Sequence, residues 1–188
     1  MGSTKTRHEK AYDRLEWDFI LKCLQEFGFH PTWNKWIMEC IVSASYSILI
    51  NGEPNGFINP TRGIRQGDPL SPYIFILCME ALSHSLITAS LRPKSRIGIK
   101  ICPRMNKIPY LLFANDCLML CKVDQSNSQN LKNLLDNFCS ISEQLINYHK
   151  SILIFSINAT STHRQMVAGI FNITHIKSLG KYLGCLVF

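Results

Sequence analysis

Residues 61–72, TRGIRQGDPLSP, leave the chain few conformational options. Gly63, Gly67, Pro69 and Pro72 fall within this short polar stretch. Glycine weakens helix and strand interiors, and proline removes a backbone donor from either. The segment therefore reads as a loop of fixed shape. Ser71 and Pro72 then supply an N-cap followed by a first-turn proline. Beyond them, Ile74, Leu77, Cys78, Ala81, Leu82, Leu86 and Ala89 recur at helical spacing and give the clearest helix of the chain.

Upstream, Trp17, Ile20, Leu21, Leu24 and Phe27 mark a helix that Gly28 closes. Pro31 opens a second one, with Trp33, Trp36, Ile37, Cys40, Ile41 and Ala44 on one face. The three tryptophans read as core residues on these faces. SYSILIN (45–51) and a return strand after Gly52–Gly56 predict a hairpin. Downstream, RIGIKI (96–101) alternates like a half-buried strand. Apolar runs at 108–113 and 117–121 flank Ala114-Asn115-Asp116, a combination that suits a tight hairpin. A helix through Leu131, Leu134, Leu135, Phe138 and Leu145, a strand at 151–156, a short helix at 160–171 and an apolar end complete the order. This order gives an α+β fold: an antiparallel sheet with helices packed on one face.

Composition limits the function classes. Charged residues are only 18% of the 188, so some apolar surface is expected to lie bare. The net charge of +7 and pI near 9.0 favour polyanionic partners. Lys and Arg are spread along the chain, with no polybasic tract of the kind found in targeting signals or disordered arms. The eight cysteines form no CxxC pair and sit in apolar contexts, which disfavours both a zinc site and a secreted disulfide scaffold. Cys117 and Cys121 read as core residues of one strand. Met1–Lys10 is too polar for a signal peptide, and the apolar runs fall short of a membrane span. These features predict a cytoplasmic or nuclear protein with no membrane partner.

Three segments arrive in a fixed order: KAYDRLEW at 10–17, GIRQGDPLSPYIF at 63–75 and FAND at 113–116. Together they resemble reverse transcriptases, in the form found in LINE-type non-LTR retrotransposons. NYHKS (147–151) and YLGCL (182–186) resemble two later blocks of the same family. The resemblance covers the chain from Lys10 onward. It implies a partial polymerase palm at 10–188 without fingers, preceded by an unrelated start at 1–9. It also implies an RNA template, a DNA primer and Mg2+ as cofactor. In such enzymes a primer hydroxyl attacks a nucleotide phosphate while two metal ions, about 3.5–4 Å apart, stabilise the attacking and leaving oxygens. Hard cations of this kind take carboxylate ligands.

By resemblance, Asp116 is a catalytic carboxylate and metal ligand. Tyr12 lies under the incoming sugar, Gln66 and Gly67 beside template and nucleotide, and Lys150 near the pyrophosphate. Tyr182, Leu183 and Gly184 form a primer-gripping hairpin. Two positions depart from the family pattern. Arg7 stands where the first catalytic aspartate belongs, and Asn115 replaces the first of the paired hairpin aspartates. Glu9 and Asp13 lie at even offsets from Arg7, on the same face if the strand continued, but Glu9 would be roughly 6–7 Å away. The expectation is a reverse transcriptase domain that no longer polymerises. The alternative is a nucleic-acid-binding module that keeps the palm without the chemistry.

Overall fold

The computed structural model describes residues 2–9, 11–113, 116–156, 158–174, 176–178, 181–182 and 185–186, with side chains described for 11–113, 116–156 and 158–174. The elements run β1 (Gly2–Glu9), α1 (Ala11–Arg14), α2 (Trp17–Glu26), α3 (Pro31–Val42), β2 (Tyr46–Ile50), β3 (Glu53–Ile58) and α4 (Ser71–Leu91). They continue with β4 (Tyr110–Phe113), β5 (Asp116–Cys121), α5 (Gln125–Ser142), β6 (Leu145–Ile146), a 3-10 turn (Tyr148–Lys150), β7 (Ile152–Phe155) and α6 (Ser161–Phe171). Three short strands follow: β8 (Ile176–Ser178), β9 (Lys181–Tyr182) and β10 (Cys185–Leu186).

The main sheet has the order β4-β5-β1-β7-β8, and β6 also pairs with β1. All its pairings are antiparallel except β7 with β8. The period of two assigns its faces. Cys117, Met119 and Cys121 of β5 join Leu153 and Phe155 of β7 in the hydrophobic core, together with Ile20, Leu24, Leu82, Leu86, Leu131, Leu135 and Phe171 from the helices. Tyr110 and Leu112 of β4 pack on this same face, whereas Leu111 and Phe113 are exposed on the other. Helices thus cover one face, and the expected α+β palm-like architecture is present.

Local chemistry explains most boundaries. Gly28 adopts φ +77° just past α2, a backbone state that glycine enters without steric penalty. Pro31 begins α3. Asp124 caps α5 by accepting from the backbone N–H of Asn127 at 2.8 Å, and Thr160 caps α6 through His163. At α4 the cap differs from expectation. Ser71 is already the first helical residue and is buried, while Asp68 accepts from Leu70 N–H at 2.8 Å and shapes the entry.

Three further expectations are corrected. RIGIKI forms no strand; it makes only isolated bridges, Ile97 to Cys121 and Ile99 to Ile108. The cause lies at Gly98, where φ is +85° and an added Cβ would meet Lys107 Cβ at 2.9 Å, so the backbone bends too closely there to continue a ladder. Trp33 and Trp36 are not core: they are 47% and 55% exposed and meet each other edge to face at 6.2 Å. The buried stripe of α3 is Asn34, Ile37 and Ile41; apolar residues occur on more than one face of this helix, so spacing alone could not choose between them. Finally, α4 has an 18-residue window long and apolar enough to cross a membrane by length and composition. Half of that window is buried inside the protein, as expected of a central core helix.

Candidate active site

The two most distinctive sequence segments are bound to each other. After β1 the chain turns into α1, so Asp13 sits on a helical turn rather than on a continued strand. Gly63 N–H donates to Leu15 O at 2.8 Å, and Ile64 N–H donates to Tyr12 O at 2.8 Å. Gln66 Nε2 donates to Asp13 Oδ1 at 3.1 Å, and Trp17 Nε1 donates to Gly63 O at 2.8 Å. The approach is close enough to require glycine: a Cβ on Gly63, where φ is +86°, would lie 2.7 Å from Asp13 O. The Tyr12 ring stacks on Phe75 of α4, with centroids 5.1 Å apart. Behind α1, the buried Gln144 donates through Nε2 to Ala11 O at 2.8 Å. Sequence reasoning missed this brace, because an isolated glutamine between helix and strand carries no periodic signal.

These contacts hold open a cleft of about 640 Å³ lined by Ala11, Tyr12, Gln66, Gly67, Asp68, Pro69 and Pro72. Three of the sequence-predicted substrate positions (Tyr12, Gln66 and Gly67) therefore share one cavity. Gly67 has φ +84°, and a Cβ added there would meet no heavy atom within 4 Å, so its backbone faces open space.

Asp116 opens β5 and is only 5% exposed. It sits between two strands, opposite Phe113 of β4 and opposite Arg7 of β1. Partners in an antiparallel pair share a face of the sheet, and Phe113 places that face away from the helical core. Lys150 is exposed at the end of the 3-10 turn. Ile146 pairs with His8 and Ile152 with Lys5, so residues 147–151 leave the sheet beside Thr6 and Arg7. The topology thus gathers Arg7, Asp116 and the Lys150 turn at one end of the sheet. Tyr182 lies in β9, paired with Cys185 of β10. Asn115, Leu183 and Gly184 lie outside the described residues.

The described side chains do not assemble a donor set for a pair of magnesium ions. Among the described residues, no three His, Cys, Asp or Glu side chains come together in a way that could hold a metal. Asp13 is engaged by Gln66, and Asp68 by the backbone of Leu70. The register partner of Asp116 on β1 is a cationic residue.

The profile of the reverse transcriptase (RNA-dependent DNA polymerase) family matches residues 4–187. The chain belongs to this family. A Pol polyprotein of the R2 retrotransposable element of Popillia japonica is 28% identical over 185 residues, covering 93% of this chain and 29% of that polyprotein. An uncharacterized mitochondrial protein of Arabidopsis thaliana is 48% identical over 69 residues, covering 36% of this chain and 55% of that protein. The chain therefore spans about half of one relative and under a third of the other. Candida tropicalis telomerase shares the fold, with TM-score 0.62 and 16% identity over 85% of this chain and 31% of that one. Candida albicans telomerase, in complex with a fragment of telomeric RNA, superposes with TM-score 0.59 at 15% identity over 85% of this chain and 27% of that one. The chain is a reverse transcriptase domain that resembles the Pol polyproteins of R2 retrotransposable elements. In this reverse transcriptase domain the family match begins at Thr4, inside the central strand β1.

Proposed function

We propose that this reverse transcriptase domain holds a nucleic-acid template at its palm without polymerising on it. The observation that carries the reading is the register of Arg7 against Asp116. Family chemistry needs carboxylates at this sheet end to hold divalent ions. A unit charge 4 Å away is worth about 4 kcal/mol at an effective dielectric near 20. Replacing one carboxylate with a guanidinium and another with the neutral Asn115 removes attraction and adds repulsion toward any divalent ion. Each 1.36 kcal/mol or so is a factor of about ten in rate, so the expected loss spans many decades. Mg2+ is the family's expected ion, and this donor set argues against its productive binding.

The template half of the reading rests on the cleft around Tyr12, Gln66 and Gly67, which is braced by backbone hydrogen bonds and stays open. An RNA strand is the favoured occupant, given the net charge of +7 and the fold shared with a telomerase solved with RNA. A DNA primer would lie toward Tyr182–Gly184.

Primer extension on an RNA template, with magnesium and then manganese, tests this. No product is expected from the natural chain. Product from the folded R7D/N115D variant would locate the lost activity in those two positions. Extension by the natural chain that is abolished by Asp116→Ala would overturn the non-polymerising reading.

A further inference from the structure

A second cleft, of about 670 Å³, lies between α4 and α5, walled on one side by the turn that leaves α4. It sits at the Cys121 end of β5, where Ile97 bridges to that residue. The six residues of β5 span from this end to Asp116, roughly 17 Å at the rise of a strand, so the cleft is distinct from the candidate active site. Its volume falls in the ordinary range for ligand sites, about 300–1,000 Å³.

The charge of its walls is one-sided. Between Glu80 and Asp116 the sequence contains no Asp or Glu, yet residues 92–107 contain Arg92, Lys94, Arg96, Lys100, Arg104 and Lys107. Interleaving with Ile97, Ile99 and Ile101 disguises this cationic stretch as an alternating strand, which is why it does not read as a polybasic tract. Arg92 and Lys94 line the cleft with His84, and no carboxylate is among its described lining residues. The opposite wall is a stripe of amides: Asn130, Asn133 and Asn137 of α5, spaced to share one helix face. Asn133 Oδ1 accepts from Gln129 Nε2 at 2.9 Å, which leaves its NH2 as a donor.

The walls are also fixed in place. Lys107 Nζ donates to Ser90 O at 3.3 Å and Ser95 O at 2.5 Å, clamping both ends of the turn. Arg96 N–H donates to Asn127 Oδ1 at 2.9 Å, and Asn127 Nδ2 holds both Asp124 oxygens at 2.8 and 2.7 Å. The nearby Asp124 carboxylate is thereby occupied by the scaffold. Lys94 adopts φ +64°, a strained state for a side-chain-bearing residue, and such strain persists only where the surroundings over-determine it.

We propose that this cleft binds the sugar–phosphate backbone of a single nucleic-acid strand, with Arg92 and Lys94 on phosphates and the asparagine stripe on sugar hydroxyls and phosphate oxygens. The chemistry matches: cations neutralise phosphodiesters, and neutral amides both donate and accept without repelling them. The inference does not depend on what the palm cleft holds.

The test titrates the full chain with a short fluorescent oligoribonucleotide at several salt concentrations, following anisotropy. R92Q/K94Q is expected to weaken binding about tenfold and to flatten the salt slope by about 1.4, or about 0.7 per lost single-strand phosphate contact. Unchanged affinity and slope would overturn the proposal. Gln66→Leu, run in parallel, reports on the palm cleft: a loss there with R92Q/K94Q silent overturns this inference and leaves the palm reading standing. Inorganic phosphate separates the two sources of the anion. Amide shifts at Asn130 and Asn133 with phosphate but none with RNA would exclude a strand. Photo-crosslinking of thiouridine-substituted RNA to the unaltered chain removes any dependence on variant folding. Adducts on 84–97 and 126–137 are expected, and adducts confined to other segments would overturn the proposal.

Discussion

Gly63 and Gly67 carry similar backbone angles but different obligations. Both sit at positive φ, where a side chain is strained by about 1–2 kcal/mol. Only Gly63 also meets neighbouring backbone, Asp13 O at 2.7 Å from an added Cβ. Gly63→Ala should therefore lower unfolding free energy by about 3 kcal/mol, adding contact to strain, and should loosen the pairing of the two motif segments. Gly67→Ala should lose only about 1 kcal/mol, because its Cβ would enter open space. Urea unfolding of both variants checks the contrast; equal losses would mean that the Asp13 contact does not constrain the loop. Sequence alone marked both glycines as loop residues. It could not rank them, since what distinguishes them is a carbonyl far earlier in the chain.

The elements with the clearest local signals formed as expected, and the faces they present were decided elsewhere. The β2–β3 hairpin is an example. A hairpin follows from SYSILINGEPNG, but its turn is Asn51-Gly52 and its return strand already begins at Glu53, inside the 52–56 stretch expected to be the turn. Every residue of both strands is nevertheless exposed, including Ile48, Leu49, Ile50 and Phe57, the last at 86%. Nearby in sequence, Trp33 and Trp36 of α3 are exposed as well. A two-stranded sheet with apolar side chains and open edges is prone to pair with other chains. The unaltered protein should associate as concentration rises, and I48K/F57K should raise the concentration at which light scattering increases while leaving helical circular dichroism unchanged. A monodisperse unaltered chain at high concentration would contradict this.

For the whole molecule, stability should carry the mark of its buried and half-buried thiols. Burial pushes Cys121 up to about 11, helped by the charge of Asp124, and burial pushes Cys139 up to about 11, helped by Asp136. Unfolding returns both to ordinary solvation, near 9.0. Between these values the unfolded chain binds fewer protons than the folded one, so stability is full below pH 9 and falls as pH rises through about 11. The urea midpoint should decline over that window, and a Cys121→Val, Cys139→Val variant should decline less. What the sequence by itself determined was local and compositional: glycine and proline shaped the loop at 61–72, apolar spacing set α2, α4 and α5, and the ordered motif blocks marked the family. These depend on backbone dihedrals and on residues a few positions apart, which are written into any short window. Only the tertiary structure decided that Arg7 stands in register with Asp116, that Gln144 braces α1, that RIGIKI bends at Gly98, and that Arg92 and Lys94 share a cleft with the asparagine stripe of α5. Each of these depends on segments distant in sequence meeting in space, and burial is set by what packs against a residue rather than by the residue itself.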